Sequence, residues 1–290
     1  MVRSLWTAAT GMISQQTNVD TIANNLANVN TTGYKAEVAE FKSLLYQTIQ
    51  TKTTSANAMV TPGYKDENGD VQTTTTLGVK PVGAQVGLGV RNSAITSVFK
   101  QGSMLESSST TAFAISGDGF FAVRGEDGET YYTRNGNFNF TTAQNGMMLA
   151  NSDGLPVLDS TGKPITLGTQ YVASKIGVNK EGELTYPDEN NNPKTIGIRI
   201  GVYQFTNPSG LEKVDSTMFQ ASAASGAAIN EATNNNVKKS EIVQGYLEGS
   251  SVQVADEMVN LIVAQRAYEM NSKAITTTDE MLQQANQLKR

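Results

Sequence analysis

Three short patterns in this chain could in principle do chemistry, and the first looks like a calcium loop. Asp66, Asn68 and Asp70 alternate as the first ligands of such a loop do. The sixth position, however, is Val71 where the loop needs Gly, and the twelfth is Leu77 where it needs Glu. Without the sharp turn and the bidentate ligand, we interpret this segment as a solvated turn.

Two further patterns also lack their partners. Ser97 and Lys100 match the Ser-x-x-Lys spacing of penicillin-interacting enzymes, but no Ser-Asp-Asn or Lys-Thr-Gly accompanies them. Gly87 and Gly89 lack the third glycine and the following helix of a dinucleotide site. We therefore interpret the first pair as part of a strand, and we expect neither pattern to bind a substrate.

The composition excludes most catalytic and metal chemistry. The chain contains no Cys and no His, which excludes disulfides, thiolate nucleophiles, Cys/His zinc sites and imidazole bases. A hydrolase that works through paired carboxylates remains open, and it would lose turnover when one Asp or Glu is changed. We expect that the protein is not an enzyme and that it binds no cofactor and no metal.

Charge and hydropathy narrow the possible partners. The 290 residues carry a net charge of −5, and the basic residues are scattered singly. Nucleic acids and anionic membranes require clustered Lys and Arg, so we expect neither as a partner. The chain has no apolar run of the ~20 residues that a membrane-spanning helix needs. Its first residues also lack the apolar core of a secretory signal peptide.

The first element that positions side chains is a helix predicted over residues 3–30. Its large apolar residues recur every seven positions, as in a coiled coil, and they are Leu5, Met12, Val19 and Leu26. A second row widens this stripe and consists of Ala8, Ile22 and Val29. Gly33 is a plausible stop signal.

A second helix is predicted over residues 250–288. Ser250 and Gln253 have the spacing of a capping box, and Asp256 and Glu257 suit the positive end of the helix dipole. Its seam runs through Val254, Met258, Leu261, Gln265, Tyr268, Ser272, Ile275 and Leu282. Together with the first helix, it predicts a coiled-coil-like layer.

Between the helices the sequence predicts β structure. Asp-Gly occurs at 118, 127 and 153 and Asn-Gly at 68, 135 and 145, and these are strong hairpin signals between short apolar segments. The predicted fold is mixed α and β with a mainly β central domain. We divide it into a terminal helical domain of residues 1–35 and 245–290, an extended linker of 36–95, and a β-rich outer domain of 96–244.

The polar face of the first helix indicates how the ends are used. Only Arg3 and Asp20 are charged between residues 3 and 34; the other polar residues are Gln, Asn, Ser and Thr. A solvated helix usually carries many Lys and Glu, so this face suits packing by other helices. We predict intersubunit packing that does not close, which yields a helical filament. An intramolecular helical hairpin is the alternative.

Several runs of residues resemble the flagellar basal-body rod and hook family. Residues 23–35 carry one signature, with Asn24, Asn25, Leu26, Ala27, Asn28 and Gly33. Residues 264–274 carry the other, with Gln265, Arg266, Ala267 and Tyr268, and residues 244–252 and 116–121 are also similar. Residues 3–6 and 44–49 are most similar to the family's distal rod subunits.

The resemblance implies a structural subunit of the bacterial distal rod. Such a subunit polymerises into a rigid helical tube that transmits motor torque to the hook and encloses the export channel. Implied partners are further copies of the chain, proximal rod and hook subunits, surrounding ring or bushing proteins and the flagellar type III export apparatus. The implied location is the basal body in the cell envelope, outside the cytoplasmic membrane, reached without a cleavable signal peptide.

Other interpretations remain open at this stage. Within the family, the chain could be a proximal rod or hook subunit, although a hook subunit would carry a larger outer region. Outside the family, a secreted β-domain binding module with a coiled-coil stalk would form a discrete oligomer with a ligand. Residues 50–85 and the Asn-rich segment 227–239 depart from the family pattern, and both are expected to lie on the outer surface that meets a ring or bushing protein.

Overall fold

The computed structural model describes residues 2–48, 85–143, 146–188, 192–234 and 236–288. Helices α1 (Val2–Ala27) and α2 (Val254–Gln287) lie at the two ends of the chain, and nearly all elements between them are strands. The mixed α and β class with a mainly β middle is therefore confirmed. The calcium-like pattern at 66–70 and most of the segment 50–85 lie outside the described residues.

The described part of the chain contains twenty strands and two short 3-10 helices at Ala173–Lys175 and Pro208–Gly210. The first ten strands are β1 (Glu37–Ser43), β2 (Tyr46–Thr48), β3 (Gln85–Gly87), β4 (Val90–Ser97), β5 (Met104–Glu106), β6 (Phe113–Ser116), β7 (Phe120–Arg124), β8 (Thr130–Thr133), β9 (Asn139–Ala143) and β10 (Gly146–Ala150). The other ten are β11 (Thr166–Leu167), β12 (Gly177–Val178), β13 (Glu183–Pro187), β14 (Pro193–Arg199), β15 (Val202–Gln204), β16 (Glu212–Lys213), β17 (Met218–Gln220), β18 (Ile229–Asn230), β19 (Glu241–Gln244) and β20 (Tyr246–Glu248).

A six-stranded antiparallel sheet in the order β16-β17-β8-β7-β15-β18 organises the β region. Its central strand β7 is apolar from Phe120 to Val123, and all four of these residues are fully buried, as expected for a strand covered on both faces. The Asp127-Gly128 pair closes the β7–β8 hairpin with Gly128 at a φ of +79°. This predicted hairpin is confirmed.

Other strand pairs join distant parts of the chain. β6 pairs with β19, with Ile115 opposite Ile242, and β20 pairs with β5. The Asp118-Gly119 pair consequently does not close a hairpin between β6 and β7, and that interpretation was wrong. Local turn chemistry could not reveal it, because the partner of β6 lies more than 120 residues further along the chain.

Both helix boundaries differ from those predicted. α1 ends at Ala27, before Gly33, and the Asn24 carbonyl accepts both the backbone N–H of Asn28 at 3.2 Å and its side-chain amide at 2.9 Å. α2 begins at Val254, so the predicted capping box at Ser250 is wrong. The Ser250 hydroxyl instead accepts a hydrogen bond from the backbone N–H of Val252 at 3.3 Å.

The described residues between 37 and 97 form four strands. β1 pairs with β4, and β2 pairs with β3, in two-stranded ladders. The Asn-rich segment 227–239 is not entirely a loop, because it contains β18 and a buried carboxylate, Glu231. In the part of the chain that the structure describes, neither helix is apolar enough over its length to cross a bilayer.

The chain separates into two compact units. Unit 1 comprises residues 1–15, 41–93 and 267–290, and unit 2 comprises residues 16–40 and 94–266. Unit 2 contains both hydrophobic clusters, with cores around Phe121 and Phe120, respectively. It also contains residues 16–27 of α1 and residues 254–266 of α2, so one end of each helix belongs to the unit that holds the main sheet.

Candidate assembly surface and buried charge cluster

α1 presents two kinds of surface within the chain. The predicted stripe residues are all half-buried, and they are Leu5, Met12, Val19 and Leu26. The most buried positions of the helix are instead Ala8, Ser14, Thr21, Ile22 and Asn25. Trp6 and Ile13, seven residues apart, remain 65% and 66% exposed. A large aromatic and a β-branched residue, two helical turns apart on the same side of α1, thus form an exposed apolar surface among the described residues.

α2 carries apolar residues on opposite faces. One face is partly covered by the chain and includes the predicted seam residues Leu261, Ile275 and Leu282, all half-buried. Ala264 and Thr278 are the buried residues of this face. Three predicted seam residues, Val254, Met258 and Tyr268, are exposed, whereas Ser272 is half-buried and Gln265 is exposed.

The opposite face of α2 was missed by the sequence reasoning, which followed a single seam. Val259, Ile262 and Val263 in unit 2 are exposed, Val263 by 61%, and Met270 and Met281 in unit 1 are also exposed. At 100° per residue, four of these positions lie roughly opposite Leu261 and Ile275, and Ile262 lies at the edge of this face. A helix that is apolar on both sides is typical of one packed between partners rather than facing solvent.

The two helices also approach each other within each unit. In unit 1, Gly11 faces Asn271 so closely that a Cβ at Gly11 would lie 2.9 Å from the Asn271 amide. In unit 2, the Asn25 amide donates to a Glu257 carboxylate oxygen at 3.3 Å. The two helices therefore contact each other within the chain, and these two contacts involve small or polar residues. They leave the exposed apolar residues of both helices available.

Asn25 is the most fully bonded residue of the first signature. Its amide donates to the Glu37 carbonyl at 2.8 Å and to Glu257, while its oxygen accepts from the Tyr34 hydroxyl at 3.1 Å and the Glu37 N–H at 2.9 Å. All four bonding positions of the side chain are thus used. Burial raises the pKa of Glu257, and the hydrogen bond from Asn25 opposes that rise.

The remaining residues of that signature shape the turn after α1. Asn24 donates to the hydroxyl of Tyr34 and Asn28 donates back to Asn24. Gly33 has a φ of +73°, and its N–H donates to the Glu248 carbonyl at 2.8 Å. Leu26 is half-buried and Ala27 is exposed. A side chain at Gly33 would collide with the backbone of residues 134–135, so Gly is required there.

The second signature lies mostly on the outside of α2. Gln265, Arg266 and Tyr268 are exposed and Ala267 is half-buried. Contacts within the chain therefore explain the first signature, whose Asn25 and Gly33 are buried, better than the second.

A buried charge cluster joins Lys35, Arg134 and Glu248. The Lys35 amine lies 2.7 Å from one Glu248 oxygen, and Arg134 lies 3.3 Å from the other. All three side chains are at most 3% exposed. Burial lowers the pKa of Lys35, with Glu248 opposing this effect and Arg134 reinforcing it. Burial also lowers the pKa of Arg134.

The sequence reasoning missed this cluster, although a signal was present. Lys35 is the only charged residue of the signature 23–35, and Glu248 is the only charged residue of the motif 244–252. Two motifs with one opposite charge each are candidates for a direct ion pair. Arg134 carried no comparable signal.

Among the described residues, no group of three Asp or Glu side chains could hold a metal ion. An open groove of about 420 Å³ is lined by residues 107–110, 174–177 and 244–245, which include no carboxylate. Ser97 lies at the end of β4 and Lys100 is exposed, with its carbonyl bonded to Lys35.

Three family models match parts of the chain. The model described as flagella basal body rod protein matches residues 5–35. The flagellar hook protein FlgE/F/G D1 domain matches residues 114–186, and the flagellar basal body rod FlgEFG protein C-terminal model matches residues 243–288. The first and last of these ranges contain the two signatures and most of both helices.

Full-length relatives share the same description. The chain is 42% identical to the flagellar basal-body rod protein FlgG of Borreliella burgdorferi, with both chains covered completely. It is 34% identical to the protein of the same name from Bacillus subtilis, again over the whole of both chains. The flagellar hook-basal body complex protein FlhP of Bacillus subtilis is 31% identical, with 97% of each chain covered.

Proposed function

Because this chain belongs to the flagellar basal-body rod protein family, we propose that it polymerises through its terminal helices into the distal rod. In this role it is a structural subunit of a rigid helical tube that transmits motor torque to the hook and encloses the export channel. The role is non-enzymatic. Identity along the whole chain to proteins described as FlgG is the observation that supports this assignment to the rod.

The exposed apolar residues of both helices support the mode of assembly. Val259, Ile262 and Val263 occupy a face of α2 that the chain itself leaves in water. Burying such a face against a neighbouring copy removes apolar area from water, at roughly 25 cal/mol per Å². Since the other face of α2 already contacts the chain, α2 would lie between two layers, which favours a continuing assembly over a closed dimer.

This role implies an arrangement of the domains in the tube, a set of neighbouring proteins and a location in the cell. The terminal helical domain of residues 1–35 and 245–290 would form the inner layer of the tube, and the β-rich domain of 96–244 the outer layer, with 36–95 between them. Its neighbours would be proximal rod subunits, hook subunits and any ring or bushing protein around the rod. Its place would be in the cell envelope outside the cytoplasmic membrane, after export by the flagellar type III apparatus.

The substitution Val263→Asp tests the proposed surface. Because Val263 is 61% exposed, the free energy of unfolding should change by less than about 0.5 kcal/mol. Polymerisation should be lost, because assembly would bury an unpaired carboxylate. Sedimentation of the polymer and electron microscopy of negatively stained samples give the measurement.

The matched control is Val214→Asp, which places the same charge at a 50% exposed valine in the β16–β17 hairpin. We expect this variant to polymerise with a critical concentration within about threefold of the parent, a difference of less than 1 kcal/mol. Tubes formed by Val263→Asp as readily as by the control would contradict the proposed assembly surface. Labelling of isolated basal bodies would show whether the subunit lies in the distal or the proximal segment.

A further inference from the structure

The Glu248 carboxylate lies where three segments of unit 2 converge. Oxygen Oε1 accepts from the Lys35 amine at 2.7 Å and from the Gly102 N–H at 2.9 Å, while Oε2 accepts from Arg134 at 3.3 Å. The Lys35 amine also donates to the Lys100 carbonyl at 2.8 Å. Each bond of this cluster therefore ties together backbone segments that are far apart in sequence.

Two of these segments are the roots of the terminal helices. Lys35 follows the end of α1 by eight residues, and Glu248 precedes the start of α2 by six. Between them the Gly33 N–H donates to the Glu248 carbonyl at 2.8 Å, and the Ser251 N–H donates to the Tyr34 carbonyl at 3.1 Å. The segment that follows α1 and the segment that precedes α2 are thus hydrogen-bonded to each other where they cross.

The third segment belongs to the main sheet. Arg134 directly follows β8, donates to the Gly117 carbonyl at 2.8 Å, and lies with its guanidinium 4.9 Å from the centre of the Phe120 ring. Phe120 begins the buried central strand β7. Glu248 is thereby connected through Arg134 to the buried central strand of the main sheet.

The charge balance of the cluster indicates positioning more than stability. Two cations face one carboxylate, and the Nε of Arg134 is buried without a hydrogen-bond partner. Replacing buried ion pairs by apolar residues is often neutral or stabilising, so such groups are weak contributors to stability, but their directional bonds can select one arrangement. Here the arrangement they select is the direction of the two helix roots.

We propose that the cluster of Lys35, Arg134 and Glu248 is a positioning element for assembly, which holds the roots of α1 and α2 in one orientation on the main sheet. This inference rests on the proposed function, since it assigns a purpose to that orientation. Subunits that share one helix direction can stack in a regular tube, whereas a loosened crossing would present the same apolar faces at variable angles.

The substitution Lys35→Met separates this role from folding. It leaves Glu248 paired with Arg134 and Gly102, and it removes the excess positive charge of the cluster. We expect near-UV circular dichroism and cooperative unfolding to persist, while the critical concentration for polymerisation rises at least tenfold. Lys35→Gln, which retains a donor for one of the two acceptors, is measured beside it and should show a smaller rise. If Lys35→Met does not fold, Lys35→Gln carries the test.

A tether then distinguishes orientation from charge. The chain has no cysteine, so Ala36→Cys with Ser251→Cys introduces a single thiol pair at the crossing, where the Ala36 N–H lies 2.9 Å from the Ser251 hydroxyl. Oxidation of this pair in the Lys35→Met chain should restore polymerisation. The exposed-pair control Lys180→Met, which breaks a surface contact with Glu241, should polymerise as the parent does.

The outcomes are distinguishable. Folded Lys35→Met and Lys35→Gln chains that polymerise at the parent concentration would overturn the inference, as would an oxidised cross-link that restores nothing. Failure of the parent chain itself to polymerise would instead reject the proposed function.

Discussion

The phenol of Tyr132 is enclosed by aromatic side chains in the second core cluster. Its ring meets that of Phe205 edge to face at 4.8 Å and that of Tyr203 at 5.7 Å. Burial is the main reason that the pKa of Tyr132 rises to about 12, and Tyr203 adds to the effect. The neutral phenol is therefore favoured in the folded state, and Tyr132 contributes to the coupling between the stability of the β region and alkaline pH.

The sign of this coupling yields a prediction. The folded state keeps the Tyr132 proton, whereas the unfolded chain, with an ordinary pKa near 10, releases it. The contribution of Tyr132 to stability is therefore fully present below pH 10 and is lost as the pH rises toward 12. Between pH 8 and pH 11 this group should remove on the order of 1 kcal/mol from the free energy of unfolding. Urea titrations of the parent and Tyr132→Phe at both pH values measure the difference.

The phenylalanine variant should lose correspondingly less stability over that interval, because both chains share every other titrating group. Tyr46→Phe, which removes an exposed phenol, is the matched control. An identical loss in the parent and in Tyr132→Phe would show that the buried phenol is not responsible.

At the scale of elements, the features that the sequence predicted are local ones. The seven-residue spacing from Leu5 to Leu26 indicated α1, and Asp127-Gly128 indicated the β7–β8 hairpin, because both depend on residues close together in the chain. The pairing of β6 with β19 was not predictable in this way. The Lys35–Glu248 ion pair spans 213 residues, and no periodicity registers a contact of that kind.

The candidate surface was partly predictable for the same reason. Heptad counting finds one seam per helix, and it found Leu261 and Ile275, which are half-buried in the chain. A second apolar face, such as that of Val259 and Val263, breaks no local rule and becomes visible only when the structure shows it to be exposed. The Val263→Asp variant therefore tests whether the second face contacts another copy.

The end of α1 is an element whose geometry depends on one amide. Asn25→Asp would place an oxygen where the amide now donates, facing the Glu37 carbonyl and the Glu257 carboxylate. Two hydrogen bonds would be lost and a buried charge would face another acceptor, so we expect a loss of roughly 2–4 kcal/mol in the free energy of unfolding at pH 7. Urea unfolding followed by circular dichroism provides the measurement.

Asn30→Asp is the control for this variant, because Asn30 follows the same helix and is exposed. Its effect should stay below about 0.5 kcal/mol. Equal effects of the two substitutions would mean that the amide at Asn25 does not fix the end of α1.

At the scale of the whole molecule, the compact units do not coincide with the helical and β regions. Residues 16–40 belong to unit 2 with the main sheet, and within them Ile22, Asn25, Tyr34 and Lys35 are buried. The first fifteen residues belong to unit 1 together with residues 267–290. A cut through α1 thus has different consequences depending on where it falls.

Two truncations turn this division into a prediction. Deletion of residues 2–15 should leave the cooperative unfolding of unit 2 intact and abolish polymerisation, because it removes the exposed Trp6 and Ile13 but none of the buried residues of unit 2. Deletion of residues 2–35 also removes the buried residues Ile22, Asn25 and Tyr34 and should lower the stability of unit 2 by at least about 3 kcal/mol, since large core side chains and the hydrogen bonds of Asn25 are lost together. Urea unfolding and sedimentation of both chains measure the two effects. If the chain that lacks residues 2–15 still forms tubes, the first half of α1 is dispensable for assembly. If the two truncated chains are equally stable, unit 2 does not depend on residues 16–35.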